Sequence, residues 1–342
     1  MTHGHDGGTD RRISGSPLDG VDLLLADLDG VVYAGPHAIP FAVESINRAA
    51  ESMRVGYITN NASRTAASVA HHLSGLGLHA DADDVVTSPQ AAVRLLADEV
   101  APGSTVLVIG GEGLTSVVSA AGFIVTDSAD DAAAVVQGFH PSVGWTQLAE
   151  ATFALHRGIP WIATNTDWTI PQERGIAPGN GTLVSAVHTA VGRLPIVAGK
   201  PEVPIFTEAL SRFGGDHALF IGDRLDTDIL GANRAGIPSV LVLTGIDGAK
   251  QALAVDASSR PTFLLTDLRE LHEPYPTVLE ETDADGIRSV TVGTSVVRMK
   301  QNVVRVAADG AHRIDLLRAA TTIIWNSGLA IYGIDVPTSL YT

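Results

Sequence analysis

Leu23-Leu24-Leu25-Ala26-Asp27-Leu28-Asp29-Gly30-Val31-Val32-Tyr33 is the stretch that decides the fold. An apolar run ends abruptly in two aspartates spaced two apart, and glycine follows at once. The run is short and bounded by polar residues, so it predicts a buried strand over 21–26 rather than a helix. Asp27 and Asp29 then stand at its carboxyl end, where open α/β sheets place their ligand crevice. Gly30 tolerates the positive φ that a sharp turn needs. Two carboxylates about 4 Å apart at an effective dielectric of about 20 repel by roughly 4 kcal/mol. A divalent cation or a shared proton offsets such a cost. On this stretch alone, two readings stand side by side: a metal-binding strand end and a plain Asp-Gly turn.

Outward from that strand, apolar runs alternate with helical stretches, which predicts an α/β fold with a parallel sheet. Helices are expected over 41–52, 66–76 and 89–100, with His71 and His72 on the polar face of the second and Pro89 in the first turn of the third. A strand is expected over 54–58. A second unit follows, with strands over 105–109, 134–139 and 161–164 and helices over 113–121, 145–157 and 181–191. The first rhythm then returns: helices over 203–213 and 226–235, strands over 217–221, 239–243 and 262–265. Pro274-Tyr275-Pro276 marks a boundary. Beyond it, strands over 288–292 and 295–306 precede a helix over 312–325, with Ile314, Leu317, Thr321 and Ile324 on one face. The last seventy or so residues therefore read as a small α+β appendage.

The 342 residues suffice for two domains and a smaller third piece. A formal charge of −16 argues against non-specific binding to nucleic acid or to an anionic membrane surface. The absence of cysteine excludes disulfides, thiolate metal sites and a cysteine nucleophile, and fits a cytoplasmic protein. No apolar run approaches the roughly 18 residues of a membrane helix. Residues 1–16, rich in Gly, Asp and His, carry no apolar signal segment and are expected to form a disordered tail with His3 and His5 solvated.

Three further stretches carry chemistry. Val55-Gly56-Tyr57-Ile58-Thr59-Asn60-Asn61 is a strand opening onto a helix amino terminus, which suits a phosphate or an ordinary helix cap. Ala198-Gly199-Lys200-Pro201 contains one of only three lysines, against nineteen arginines. A lysine between Gly and Pro in such a chain reads as chosen for its compact point charge. Leu219-Phe220-Ile221-Gly222-Asp223-Arg224-Leu225-Asp226-Thr227-Asp228 is another strand ending in carboxylates. Asp228 also sits where it can complement a helix dipole. Asp223 with Asp27 and Asp29 makes an all-oxygen donor set of the kind Mg²⁺ takes. Four strand ends together supply carboxylates, a hydroxyl, amides and a lysine, the groups that phosphoryl transfer requires.

Asp27-Leu28-Asp29-Gly30-Val31-Val32-Tyr33, Thr59-Asn60-Asn61, Gly199-Lys200-Pro201 and Gly222-Asp223-Arg224-Leu225-Asp226-Thr227-Asp228-Ile229 resemble, in order, the four motifs of the haloacid dehalogenase superfamily. Their wording resembles the NagD-like phosphatases, over roughly residues 18–272. Ala163-Thr164-Asn165-Thr166-Asp167 and Pro178-Gly179-Asn180-Gly181 resemble that subgroup's cap signatures.

The resemblance implies a Rossmann-like parallel-sheet hydrolase core over 17–87 and 197–273, an inserted α/β cap over 88–196 and the appendage over 274–342. It implies Asp27 as nucleophile and Asp29 as general acid and base. It implies Mg²⁺ held by Asp27, the Asp29 carbonyl, Asp223 and Asp228. Thr59, the Asn60 amide and Lys200 would hold the phosphoryl oxygens. Asp167, Trp168 and Arg174, in a loop after a cap strand, are the candidates for substrate choice, or else ordinary loop residues with a packed tryptophan. The appendage resembles that of actinobacterial glycerol-3-phosphate phosphatases, whose tails look like a partial GNAT acetyltransferase. Its isolated glycines offer no pyrophosphate-binding turn, so no acetyl transfer is expected; it is expected to pack on the core or on a second subunit, as in a homodimer. The implied activity is a Mg²⁺-dependent phosphatase of a small phosphorylated metabolite, glycerol 3-phosphate first. Phosphoglycolate, pyridoxal phosphate and nucleotides are the alternatives, and a weakly catalytic scaffold acting through the tail is a reading from another class.

Overall fold

The computed structural model describes residues 15–172 and 174–342. The expected tail over 1–16, with His3 and His5, lies outside the described residues but for its last two. Among the described residues no helix is long and apolar enough to cross a membrane.

The first sheet has six parallel strands in the order Phe263–Leu265, Ser239–Val242, Ala218–Gly222, Leu23–Ala26, Arg54–Thr59, Val85–Thr87. Leu23–Ala26 lies in its middle and is buried throughout, which is why it is apolar at every position rather than alternating. Leu24 and Ala26 enter one core cluster; Leu23 and Leu25 enter another on the opposite face. The chain runs from this strand first to Arg54–Thr59 and later to Ala218–Gly222 on its other side. That reversal makes the carboxyl end of Leu23–Ala26 the switch point where a crevice opens.

The second sheet has five parallel strands in the order Ile196–Val197, Trp161–Ala163, Ala134–Gln137, Thr105–Ile109, Ile124–Thr126. Helices Trp145–Leu155 and Asn180–Val191 contribute to a cluster with Leu107, Val135 and Trp161. Val106, Val136 and Ile162 instead join the cluster of Leu23, Leu25 and Ile58. The two sheets thus share a continuous apolar interior, crossed by helix Ser88–Glu99.

The last part forms a four-stranded antiparallel sheet, Val278–Thr282, Arg288–Val292, Ser295–Lys300 and Val303–Ala308, followed by helix Arg313–Trp325. Its apolar side chains pack with Leu225, Ile229, Leu241 and Leu264 of the first unit in one cluster. Several expectations need correction. The single strand over 295–306 is two strands, because Gln301 takes a left-handed φ of 55° and turns the chain. Strands Val85–Thr87, Ile124–Thr126 and Val278–Thr282 were not foreseen: two are only three residues long, and the third is exposed at every position. The helix over 226–235 begins as a wide π-turn, Leu225–Ile229, before Leu230–Arg234. His72 turns inward from its helix and meets the Tyr33 ring edge-on at 4.9 Å.

Candidate active site

The carboxyl end of Leu23–Ala26 delivers Asp27 while still in register, its N–H bonded to Ile221 O at 2.9 Å. The Leu28 carbonyl then accepts from Val32 at 2.8 Å and Tyr33 at 3.1 Å, folding the chain back at once. Gly30 has φ 83°, and a Cβ there would stand 2.2 Å from Asp223 Oδ2. Glycine is therefore required twice, by the turn and by the carboxylate beside it. Asp27 is buried, whereas Asp29 sits exposed at the mouth.

Thr59 ends the neighbouring strand, buried, with its hydroxyl accepting from Asn61 N at 3.1 Å. Lys200 follows Ile196–Val197 of the second sheet, where the chain leaves the inserted unit and returns to the first. It is 3% exposed, and its Nζ lies 2.6 Å from both Asp27 Oδ1 and Asp228 Oδ1. Asp223 ends Ala218–Gly222, and its Oδ2 accepts from Ile246 N at 2.7 Å. Asp228 Oδ2 accepts from the N–H groups of Asp223 at 3.2 Å and Arg224 at 3.1 Å.

The carboxylate oxygens of Asp27, Asp223 and Asp228 lie within 4.8 Å of one another. Three buried carboxylates face one ammonium. Burial pushes the Asp27 carboxyl well up, against the pull of Lys200. Burial and then Asp228 push Asp223 up to about 7. Burial opposes the charge on Lys200, but Asp228 and Asp27 outweigh it and hold the ammonium protonated. Asp29 meets solvent on its outer side, but the protein crowded around its carboxyl desolvates it enough to raise its pKa, with Arg64 and Lys200 opposing. A hard divalent cation fits this donor set: the ligands are oxygens, their negative charge exceeds the local positive charge, and space beside Asp223 is kept by Gly30. The side chain of Asp29 is not in the cluster.

The other expected residues divide. The Asn60 side chain is taken up by the backbone of Lys200 and by Asp167, at 2.8–3.3 Å. Asp167 is thereby brought to the crevice, where burial raises its carboxyl against the Asn60 bond and Arg224. Trp168 is 65% exposed and Arg174 is exposed, on the side of the hairpin Thr169–Gln172 and Gly175–Pro178. Residues that sequence reasoning did not single out complete the joint. Ser88 Oγ and Asn165 Nδ2 both donate to Asn60 O at 2.8 Å, and Asn180 Nδ2 donates to Asn165 O at 2.7 Å. Asn165 and Asn180 lie inside the two stretches that resemble cap signatures, which was the available signal.

Two family models match, "haloacid dehalogenase-like hydrolase" over residues 24–124 and a second hydrolase model of the same kind over 197–271. The chain is 44% identical over 297 residues to D-glycerol 3-phosphate phosphatase of Mycobacterium tuberculosis, covering 81% of this chain and 84% of that protein. It is 35% identical over 250 residues to acid sugar phosphatase of Staphylococcus saprophyticus, covering 72% of this chain and 95% of that one. The crystal structure of glycerol phosphate phosphatase from M. tuberculosis in complex with magnesium superposes with a TM-score of 0.79 at 40% identity, covering 92% of this chain and 93% of that chain.

Proposed function

Since the chain belongs to the haloacid dehalogenase-like hydrolases and is a phosphoric monoester hydrolase, we propose that it hydrolyses glycerol 3-phosphate in a Mg²⁺-dependent reaction. The observation that carries the chemistry is the buried cluster of Asp27, Asp223 and Asp228 around Lys200. The substrate rests on the likeness to the M. tuberculosis enzyme. Asp167 at the crevice supports it: a carboxylate there accepts hydrogen bonds from a polyol leaving group and repels a leaving group that carries a carboxylate, such as glycolate.

In this reading Asp27 and Asp223, with Asp228, would hold Mg²⁺, which supplies positive charge to the carboxylates and the transferring phosphoryl oxygens. Lys200 works against the burial that raises Asp27 and adds positive charge on the same side. An Asp27 oxygen attacks phosphorus, the bond from phosphorus to the ester oxygen breaks, and Asp29 gives its proton to the departing alkoxide. Asp29, now a carboxylate, takes a proton from water as that water attacks the aspartyl-phosphate. Phosphate leaves, Asp27 is restored and Asp29 is protonated again. The raised pKa of Asp29 suits this alternation. Thr59, at the neighbouring strand end, supplies a hydroxyl for a phosphoryl oxygen.

A panel of glycerol 3-phosphate, phosphoglycolate, pyridoxal 5′-phosphate, a nucleoside monophosphate and a sugar phosphate, each with and without EDTA, tests the proposal. Glycerol 3-phosphate is expected to give the highest kcat/KM, and EDTA to abolish turnover until Mg²⁺ is restored. Another substrate preferred by about tenfold, roughly 1.4 kcal/mol, overturns the substrate assignment. No phosphate release from any of them overturns the reaction and favours the scaffold reading.

A further inference from the structure

Asn60 joins four segments through one residue. Its Oδ1 accepts from Lys200 N at 2.8 Å, and its Nδ2 donates to Lys200 O at 3.0 Å. The side-chain amide thus pairs with one backbone residue as a neighbouring strand would. The same Nδ2 reaches both oxygens of Asp167, at 3.2 and 3.3 Å. Meanwhile its carbonyl accepts from Ser88 and from Asn165. Close approach is built in: a Cβ on Gly199 would stand 2.5 Å from Asn60 Oδ1 and 2.5 Å from Thr164 O.

With both amide hydrogens and Oδ1 engaged, this side chain is committed to protein rather than to a phosphoryl group. Its partners have two different origins. Lys200 carries the ammonium that touches Asp27, and Asp167 belongs to the inserted unit that stands over the crevice. Lys200 reaches Asp27 along a flexible four-carbon stem, so where its backbone is held decides where Nζ rests. The inserted side is itself braced, since Asn180, at the start of helix Asn180–Val191, holds Asn165 O.

We propose that Asn60 is a positioning residue that couples the seating of Asp167 over the crevice to the placement of Lys200 against Asp27. The inference rests on the phosphatase reading and adds to it a link between the inserted unit and the phosphate-clamping lysine. A cap residue with no contact to the reacting atoms then influences the chemical step through one amide.

A double-mutant cycle on Asn60→Ala and Asp167→Ala tests the coupling, with 4-nitrophenyl phosphate as substrate and saturating Mg²⁺. Expected losses in kcat are on the order of 100-fold for Asn60→Ala and on the order of tenfold for Asp167→Ala, with the double variant no worse than Asn60→Ala. KM is expected to change little, because the side chain does not hold the phosphoryl group. Losses that multiply to about 1,000-fold, or a change confined to KM, overturn the coupling. The exchange Asn60→Asp with Asp167→Asn guards against a merely structural effect. The carboxylate placed at position 60 would accept from Lys200 N and from the new amide at position 167, and it leaves Lys200 O without its donor in the exchanged pair and in Asn60→Asp alike. The exchanged pair is therefore expected to recover about tenfold over Asn60→Asp alone, which sets two carboxylates face to face. No recovery overturns the proposal. An unaltered chain inert towards 4-nitrophenyl phosphate overturns the phosphatase reading itself; an active one with an additive cycle overturns only the coupling.

Discussion

Lys200 and Arg318 are both buried cations held between two carboxylates. Lys200 lies 2.6 Å from Asp27 and 2.6 Å from Asp228. Arg318 lies 2.8 Å from Asp315 and 2.5 Å from Glu270. The difference is in what remains unbalanced. Beside Lys200 a third buried carboxylate, Asp223, leaves the negative charge in excess; burial first, and then Asp228, lifts its pKa to about 7. Beside Arg318 two further N–H groups go to Leu264 O at 3.0 and 2.7 Å, and the Tyr275 ring lies 4.5 Å from the guanidinium carbon. Glu270 keeps a backbone partner, Thr266 N, at 2.9 Å, and a fifth of its side chain meets water. One cluster is closed and joins helix Arg313–Trp325 to strand Phe263–Leu265. The other is short of positive charge, which in the proposed reaction a divalent cation would supply. The choice of cation matches these two roles, since a guanidinium fills a fixed fork of acceptors whereas an ammonium acts as a point charge.

The comparison breaks most sharply at Asp27. Asp27→Asn keeps the shape and the contact with Lys200 but removes the attacking oxygen anion. Phosphate release is expected to fall by about 1,000-fold or more. Turnover within about tenfold of the unaltered chain would place the nucleophile elsewhere. At the closed cluster the expected loss is in stability. Arg318→Leu leaves Asp315 and Glu270 without their cation and Leu264 O without its donors. Urea unfolding should show about 3–5 kcal/mol of destabilisation, with kcat per folded molecule retained. A shift below about 1 kcal/mol would mean that the join depends on apolar packing alone.

The excess charge at Lys200 has a signature in pH. Asp27 and Asp223 are raised by burial, so the folded metal-free protein binds their protons more tightly than the unfolded chain does. Their contribution to stability is present below the ordinary carboxylate range and is lost as pH rises through about 7, the raised value at Asp223. A divalent cation reverses that loss. Mg²⁺ at about a hundred times its Kd is expected to stabilise by about 2.7 kcal/mol at around pH 8, and by less near pH 6, where protons compete. Thermal melts at the two pH values, with Mg²⁺ or EDTA, measure it. A Mg²⁺ effect that is larger near pH 6 would contradict the assignment of these carboxylates as its ligands.

How much was legible follows from the same two clusters. Lys200 stood out because lysine is scarce and because Gly199 and Pro201 enclose it. Arg318 did not, being one of nineteen arginines on a helix read only for its apolar face. The motif carboxylates were legible because apolar runs end in them, and Leu23–Ala26 is buried on both faces as its composition requires. Strand Val278–Thr282 was not, since with every residue exposed it carries no alternation. The turn at Gln301 was hidden by apolar residues that continue on both sides of it. The pairing of Asn60 with Lys200 spans 140 positions and depends on where the inserted sheet sits, which no local pattern encodes.

The smallest expected effect is also the sharpest control. Glu270→Gln makes the same carboxylate-to-amide change as Asp27→Asn, but at the closed cluster. Thr266 N and Arg318 Nη2 donate to different oxygens of Glu270, so the amide keeps its oxygen for Arg318 and turns its NH2 towards Thr266 N, losing that bond with the charge. Because the Glu270 side chain is partly in water, the charge is screened, and the cost in urea unfolding, the Thr266 bond included, should be about 1–2 kcal/mol. With Asp315 still paired to Arg318, the kcat for phosphate release should be unchanged. Were Glu270→Gln to lower kcat by more than about threefold at full folding, the closed cluster would be coupled to the open one. The pair would then be one electrostatic unit rather than two, and the excess charge at Lys200 would have to be reckoned across the whole molecule.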